Sequence, residues 1–557
     1  MNGSEYTLNE RISRTLALAG PSITLASISE ALAFLLGAFT KMPAVQAFAI
    51  YSAFAIFFDF LLQITCFVAL MTLDAKRSME NRVDCLPCVN VSSEDSEEGE
   101  DIPLKRENKD EGVLRYLIEN YYAPFLFHPV VKVIVLILFV GLFFGGLCFF
   151  TSVDIGLAQQ VALPKNSYLQ DYFNNMSAYL AVGPPVYLVI REGFNYTSLQ
   201  EQNDLCSSMK SCHNNSLMNI MDVVPYMTGT TYAWIDDYLR WTQFRNCCLE
   251  NDNGVKCLTN DSGTCHACYS LDKNKRPTVD QFYQYLPWFL TNSTIQNATI
   301  PICPITGLAY MSDISFKNSS YIQSSRFRSY HTILKNQSDY INALKVAYEV
   351  TDEINNSDDY NGIKVFPYSV FYIYFEQYLY ITSVALMVCG LALAGIFIVT
   401  FLLLGSPLAS IIIVLLVAMI EIDLIGAMYL WNISLNAVSV VNMVMAIGIS
   451  VEFCVHITHS FCKLEGSRSE RAMRALIETG SSILSGITLT KFFGVIVLAF
   501  SPSEIFEIYY FRMYLLIVLL GASHGLVLLP VLLSWVGPKT GSIYDMCKKH
   551  TQYSNIN

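Results

Sequence analysis

Long apolar runs alternate with polar stretches along this chain. Eight of the runs reach the roughly 20 residues that a helix needs to cross a bilayer. They cover residues 22–40, 44–72, 130–150, 380–404, 408–430, 437–460, 479–500 and 508–535. The polar residues gather mainly in 74–129 and 151–379. The pattern predicts a polytopic α-helical membrane protein of about eight spans with one large domain outside the bilayer.

Composition supports this class. The chain has 557 residues, of which 53% are hydrophobic and 15% charged, and its mean hydropathy is +0.38. This balance fits no soluble enzyme class. The net charge of −12 does not point to a nucleic-acid partner, and no cofactor motif is apparent. We therefore expect a protein that is not an enzyme and binds neither nucleic acid nor a cofactor.

Positive residues beside the spans predict the orientation. Cytosolic loops carry an excess of lysine and arginine. Such residues precede the first span, follow the second and lie between the sixth and seventh: Arg11, Arg14, Lys76, Arg77, Arg82, Lys463, Arg468, Arg471 and Arg474. Counting crossings from these loops places residues 151–379 outside the cytosol and both chain ends inside.

The polar stretch 151–379 has the features of a luminal domain. Its even number of cysteines suits four disulfides, whose pairing the sequence leaves open; they are Cys206, Cys212, Cys247, Cys248, Cys257, Cys265, Cys268 and Cys303. It also carries nine N-glycosylation sequons, at Asn175, Asn195, Asn214, Asn260, Asn292, Asn297, Asn318, Asn336 and Asn355. A zinc site at Cys265-His266-Ala267-Cys268 is the alternative to disulfides there.

Periodicity within this domain indicates both strands and helices. Residues 186–190 read as a strand and 340–354 as a helix, which predicts an α+β domain. A further helix is predicted to begin at Trp234. Asp236 and Asp237 lie in its first turn, where they are better explained by their interaction with the positive end of the helix dipole than by a catalytic role. By contrast, the acidic, serine-rich linker 74–129 lacks the apolar residues for a core. Cys85 and Cys88 in it are either palmitoylated or plain reduced thiols.

The sixth span carries the leading functional candidates. Glu452 and His456 are four residues apart and therefore share one helical face. Ionisable residues at membrane depth are costly and usually serve transport, although a buried pair that only joins helices is the alternative. Gly448, between small residues, predicts close approach of another helix. Lys491, Glu30 and Asp59 are supporting charges within other spans.

Two further observations extend this set. Glu421 and Asp423 lie in the fifth span, where they either extend a polar path toward Glu452 or pair with Lys491 or His524. Residues 27–39 and 488–500 align at a constant offset that matches Glu30 with Lys491. Internal repeats are common in transporters, and this one predicts that spans one and two end an earlier half of which 130–535 is the complete counterpart.

Motifs along the chain resemble the Niemann-Pick type C sterol transporters, within the resistance-nodulation-division superfamily that includes Patched. They include SEALAFLLGAFTKMPAV (29–45), DFLLQITCFVAL (59–70), GPPVYLVI (183–190), ISLNAVSVVN (433–442), GISVEFCVHIT (448–458) and YFRMYLLIVLLGASHGLVLLPVLLSWVGP (510–538). Family members are about twice as long, so the resemblance identifies this chain with the C-terminal part of such a transporter.

The resemblance implies a division into segments. It assigns 1–73 to the last two helices of a sterol-sensing domain, 74–129 to a cytosolic linker, 130–150 to a transmembrane helix, 151–379 to a cysteine-rich luminal domain, 380–538 to a five-helix transmembrane bundle and 539–557 to a cytosolic tail.

The resemblance also implies a function. The expected activity is movement of cholesterol or a related sterol from the lumen into or across the membrane, with Glu452 and His456 as a proton relay. Expected partners are the sterol and membrane lipids. A soluble luminal sterol carrier is expected only through the N-terminal region that family members have and this chain lacks. The expected location is the late endosome or lysosome, or the plasma membrane. Alternatives are a Patched-like sterol-responsive regulator without transport of its own and, with no nucleophile or metal motif to support it, a luminal lipid-modifying enzyme.

Overall fold

The structure, a computed structural model, describes most of the chain in two compact units. The described residues are 7–40, 42–80, 112–157, 159–180, 183–229, 231–244, 247–257, 265–268, 276–291, 303–317, 321–357 and 363–539. One unit combines Met1–Gln170 with Tyr380–Asn557, and the other is Asp171–Leu379.

Eight helices in the described part of the chain are long and apolar enough to cross a membrane, as the sequence predicts. They are Ala19–Gly37, Pro43–Met79, Pro129–Ser152, Tyr372–Leu404, Pro407–Leu430, Ala437–Lys463, Arg468–Phe500 and Phe506–Val536. The protein is therefore an integral membrane protein. Several helices extend beyond the apolar runs, because polar residues continue the helix outside the part that hydropathy detects.

The N-terminal region contributes the first two spans and the approach to the third. Its helices are α1 (Leu8–Gly37), α2 (Pro43–Leu62), α3 (Val68–Met79), α4 (Val113–Leu117), α5 (Ala123–Leu126) and α6 (Pro129–Phe149), with π-helical turns at Gln63–Phe67 and Ile118–Tyr122. A capping box between Thr7 and Glu10 sets the start of α1. This explains why α1 begins well before the predicted span at residue 22.

The second unit is an α+β domain, as predicted. Its helices are α7 (Tyr168–Tyr179), α8 (Leu199–Leu205), α9 (Leu217–Met221), α10 (Trp234–Gln243), α11 (Val279–Leu290) and α12 (Gln337–Asn356). Its strands are β1 (Pro185–Ile190), β2 (Leu249–Asn251), β3 (Cys265–Ala267), β4 (Ile314–Lys317), β5 (Tyr321–Tyr330) and β6 (Val365–Tyr368). The predicted strand 186–190, the helix 340–354 and the helix start at Trp234 are all found.

A four-stranded antiparallel sheet organises this domain. Its strand order is β4-β5-β1-β6, and Leu188 of β1 lies opposite Phe327 of β5 and Pro367 of β6. Val186, Leu188 and Ile190 are fully buried, which is the alternation expected of a strand with one face on a core. The ring of Trp234 from α10 stacks on Phe327, with centroids 6.3 Å apart.

The C-terminal helices complete the membrane unit. They are α13 (Tyr372–Leu404), α14 (Pro407–Leu430), α15 (Ala437–Lys463), α16 (Arg468–Ser482), α17 (Thr490–Ile496), α18 (Met513–Ser523) and α19 (Leu529–Val536), with π-helical turns at Ile483–Leu489, Phe506–Arg512 and His524–Leu528. Helix α15 is central, because α1, α14, α16 and α18 all pack against it.

Hydrogen bonds join the N-terminal end of α15 to residues 154–156, which follow α6. Leu435 N–H donates to the Asp154 carbonyl at 2.7 Å, and Gly156 N–H donates back to the Leu435 carbonyl at 3.0 Å. The Ser434 hydroxyl adds a bond to the Gly156 carbonyl at 2.7 Å. Asn436 caps the helix by accepting from the Val438 and Ser439 amides. We call residues 154–156 and 434–436 the α15 clasp.

Candidate functional site

Glu452 and Lys491 form an ion pair between α15 and α17. The Lys491 ammonium donates to Glu452 Oε2. The Glu452 side chain remains 30% exposed and the Lys491 side chain 33% exposed. Lys491 also lies over the Phe453 ring, with Nζ 5.9 Å from its centroid. The structure thus brings together two charges that the sequence placed on separate spans.

Glu30 approaches the same site from α1. A Cβ atom added to Gly448 would lie only 2.9 Å from Glu30 Cγ, so the absence of a side chain at residue 448 lets Glu30 lie against the α15 backbone. Glu30 is also within electrostatic range of Glu452, Lys491 and Asp59. Lys491 thus lies near two carboxyls, those of Glu452 and Glu30, and Asp59 lies near Glu30. Asp59 is the outlying member, exposed on α2.

His456 lies one turn beyond Glu452 and is within its electrostatic range. No hydrogen bond involves its ring within the described residues. The next titratable residue on this face is His459, which interacts electrostatically with both His456 and Lys463. Sequence reasoning missed His459, although its position seven residues after Glu452 places it on the same helical face. The face from Glu452 to Lys463 is a line of ionisable groups that ends in the last turn of α15.

The structure settles which group pairs with Asp423. His524 Nε2 lies 3.2 Å from Asp423 Oδ2, and both side chains are fully buried. Lys491 instead pairs with Glu452. Glu421, two residues before Asp423, is also buried, and neither of its carboxyl oxygens has a hydrogen-bond partner among the described residues.

Disulfides account for most of the luminal cysteines. The pairs are Cys206–Cys212, Cys247–Cys303 and Cys248–Cys268, and Cys257 is disulfide-bonded as well. The side chain of Cys265 lies outside the described residues. Cys268 is bonded to Cys248, so its sulfur is not available as a thiolate ligand for the alternative zinc site at 265–268.

The paired aspartates of α10 have structural partners. The Asp236 carboxylate accepts hydrogen bonds from the backbone N–H and hydroxyl groups of Ser207 and Ser208. Asp237 accepts from the Tyr310 hydroxyl at 2.7 Å. Cys206 and Cys212 lie close to Asp236, but their disulfide excludes both sulfurs as metal ligands. These contacts support a structural role and not a catalytic one.

The predicted glycosylation sites divide into two groups. Asn175, Asn195, Asn214, Asn336 and Asn355 are exposed. Asn260, Asn292, Asn297 and Asn318 lie outside the described residues, as do Cys85, Cys88 and most of the linker.

Similarity to known proteins covers nearly the whole chain. NPC intracellular cholesterol transporter 1 of Sus scrofa is 42% identical over 549 residues, which are 96% of this chain and 42% of that protein. The Drosophila melanogaster NPC intracellular cholesterol transporter 1 homolog 1b is 41% identical over 96% of this chain and 43% of its own length. NPC1-like intracellular cholesterol transporter 1 of Homo sapiens is 37% identical over 97% of this chain and 42% of its own length. The chain thus spans about two fifths of these relatives.

A family match and a solved structure agree with this similarity. Residues 1–91 match the sterol-sensing domain of SREBP cleavage-activation. The fold resembles the cryo-EM structure of the hedgehog release protein Disp from the water bear Hypsibius dujardini, with a TM-score of 0.56 and 14% identity over 95% of this chain and 61% of that one. The resemblance to the Niemann-Pick type C transporters that the sequence motifs indicate is therefore confirmed along nearly the whole chain.

Proposed function

We propose that this chain acts in the proton-linked transport of sterol, moving cholesterol or a related sterol from the lumen into or across the membrane. The observation that carries the proposal is its 42% identity over 549 residues to a protein named as a cholesterol transporter. The relatives' name favours transport over the Patched-like regulator and over an enzyme. We further propose a late endosomal or lysosomal membrane, or the plasma membrane, as its location and a soluble luminal sterol carrier as a partner.

Glu452, Lys491 and Glu30 would form the proton-binding centre. Two carboxylates beside one ammonium leave an excess negative charge, which is costly within a membrane. Binding one proton removes it. Because Lys491 has two acceptors in range, protonation of Glu452 would release the lysine toward Glu30 and so change how α15, α17 and α1 are held together. Asp59 on α2 would add a weaker electrostatic interaction with Glu30.

His456 and His459 would connect this centre to the end of α15. They lie on the Glu452 face at intervals of four and three residues, and histidine gains or loses a proton near neutral pH. Both rings are partly buried. A proton could therefore pass between Glu452 and the Lys463 end of the helix in short steps.

The test is sterol movement in proteoliposomes that contain the purified full chain. A fluorescent sterol reports transfer with and without an imposed proton gradient. Glu452→Gln keeps the shape of the side chain but removes its titratable charge, so we expect a loss of gradient-dependent transfer of at least tenfold. Glu465→Gln makes the same change in the exposed loop after α15 and should transport normally.

Two results would contradict the proposal. Gradient-dependent transfer by Glu452→Gln at the wild-type rate would reject the relay and leave Glu452 as a helix-packing residue. Sterol binding by the wild-type chain without any transfer would favour the regulator.

A further inference from the structure

A second titratable pair lies buried between α14 and the end of α18. Asp423 and His524 have no exposed side-chain surface. His524 Nδ1 lies 2.9 Å from the Leu520 carbonyl oxygen. A carbonyl can only accept a hydrogen bond, so Nδ1 carries a proton and Nε2 faces Asp423. With one further proton, the pair is either an imidazole beside a protonated carboxyl or an imidazolium beside a carboxylate. In both forms it holds one exchangeable proton.

An aromatic ring and two closely approaching helices pack around the pair. The edge of the His524 ring meets Phe139 of α6, with ring centroids 4.7 Å apart. Helices α6 and α14 approach so closely that a Cβ on Gly426 would lie 2.6 Å from Gly146 Cα. Losing the proton, or gaining a second one, would leave a net charge in this apolar site, which is strongly unfavourable. The one-proton form is thus the stable one while the helices stay packed.

Asp423 and His524 do not form a well-aligned hydrogen bond with each other. Nε2 and Oδ2 are 3.2 Å apart, yet neither makes an aligned hydrogen bond, and Asp423 Oδ1 has no partner within the described residues. A buried His–Asp pair that served only to hold two helices would be expected to satisfy these groups. The pair can therefore take up or release a proton without breaking an aligned hydrogen bond between its two members.

Other titratable groups lie on the surrounding helices. They include Lys132 and Cys148 of α6, Cys389 of α13, Glu421 of α14, and Glu452, Cys454, His456 and His459 of α15. Lys132 donates to Ser469 and lies over Phe127, Glu452 pairs with Lys491, and Glu421 interacts electrostatically with Cys389. No recorded polar contact joins any of them to Asp423 or His524 in the described residues.

Packing links this pair to the Glu452 site. Gly521 and Gly525, on either side of His524, lie against Phe453, so that a Cβ at either glycine would come within 2.8 Å of that residue. The turn that begins at His524 is π-helical, a feature often found at functional sites. Pro530 cannot donate to the Leu526 carbonyl, and the Tyr122 hydroxyl donates to it instead at 3.1 Å. This helix is therefore irregular where it contacts the residue after Glu452.

We propose that Asp423 and His524 form a second proton-binding site in the membrane unit, separate from Glu452 and coupled to it through Phe453. The site holds one proton while α14 and α18 are packed, and it exchanges that proton when they separate. A change of pH therefore shifts the balance between the packed and separated forms, and the carboxyl signal titrates with it. The proposal does not depend on sterol being the transported molecule, because it concerns proton binding by the chain itself.

The experiment is a pH titration of the full chain in nanodiscs, followed by infrared difference spectroscopy from about pH 5 to about pH 8, the range in which histidine-coupled groups titrate. Protonated carboxyl groups and carboxylates absorb at different frequencies. We expect Asp423→Asn to remove one titrating carboxyl signal. His524→Asn should move the midpoint of that signal, because two titratable groups in contact exchange protons jointly.

Glu421→Gln is the matched control, since it removes another buried carboxyl from the same helix and should leave the Asp423 signal in place. Monodisperse behaviour and intact disulfides show that each variant is folded, and either pair variant alone suffices for the test. A carboxyl signal unchanged in the folded Asp423→Asn or His524→Asn variant would overturn the proposal. The proposed sterol function would stand in that case, because it rests on the similarity to cholesterol transporters and is tested separately by the Glu452 variants.

Discussion

Glu30 lies directly on Gly448, where α1 crosses α15. Because a Cβ at residue 448 would be 2.9 Å from Glu30 Cγ, the two helices can approach only while residue 448 has no side chain. This contact joins the N-terminal spans to the helix that carries the proposed relay.

The Glu30–Gly448 contact predicts that a side chain at residue 448 will destabilise the membrane unit. Gly448→Val should lower the stability of the membrane unit by about 1–3 kcal/mol, the usual cost of overpacking. Gly448→Ala should cost less, since the opposing atom belongs to a flexible side chain. Thermal unfolding in detergent is the measurement. Gly494→Ala in α17, where no atom lies within 4 Å of an added Cβ, is the control. Removing Glu30 as well, in Gly448→Val/Glu30→Ala, should recover part of the loss, and failure to do so would contradict the contact.

His456 is expected to set the pH response of transport. His456→Gln should flatten the dependence between about pH 5 and about pH 7, where a histidine ordinarily changes charge. His459→Gln should give a smaller effect, because His459 lies farther from Glu452. Sterol transfer at a series of pH values gives the measurement. An unchanged pH profile in the His456→Gln/His459→Gln double variant would exclude the histidines from the relay.

His331 is expected to make the luminal domain less stable in acid. Its ring is buried, with Nδ1 3.0 Å from the Tyr226 carbonyl oxygen and Nε2 2.9 Å from the Tyr372 hydroxyl, and burial lowers its pKa. The unfolded chain, in which histidine titrates near pH 6.5, therefore binds the proton more readily. The stability contributed by neutral His331 is complete above about pH 6.5 and declines as the pH falls toward the lowered pKa.

The test of His331 compares apparent melting temperatures at about pH 7 and about pH 5. The wild-type chain should lose more stability on acidification than His331→Gln, whose side chain can still donate and accept but does not titrate. His266→Gln, in a partly exposed histidine of the same unit, should keep the wild-type loss. Equal losses in wild type and His331→Gln would disprove the prediction.

The disulfides are expected to differ in their contributions. Cys247–Cys303 closes 56 residues and Cys206–Cys212 only 6. The chain-entropy treatment assigns about 4 kcal/mol to the longer loop and about 2 kcal/mol to the shorter. Replacing each pair by serines should therefore reduce thermal stability more for Cys247/Cys303. A larger loss from the Cys206/Cys212 replacement would show that local contacts outweigh loop entropy.

The membrane helices could be predicted from hydropathy, but their ends could not. Apolar runs identify the part of a helix within the bilayer, whereas α13 begins at Tyr372, eight positions before the predicted span. Aromatic and polar residues continue the helix there without a strong hydropathy signal. The start of α1 likewise depends on the Thr7 cap, which lies among polar residues.

The parts of the candidate site that lie on one helix could be predicted from the spacing of residues along the sequence. The spacing of Glu452 and His456 places both on one face, and it would also have identified His459. Long-range pairing was not predictable, since Asp423 had both Lys491 and His524 as possible partners until the packing of α14 against α18 decided it. The disulfide connectivity was open for the same reason, because eight cysteines allow 105 pairings.

The α15 clasp makes the start of the central helix a mechanical coupling point. Three hydrogen bonds of 2.7–3.0 Å tie residues 434–435 to residues 154–156, just before the chain leaves the membrane unit for the luminal domain. If proton binding at Glu452 turns or shifts α15, these hydrogen bonds transmit the displacement to residues 154–156.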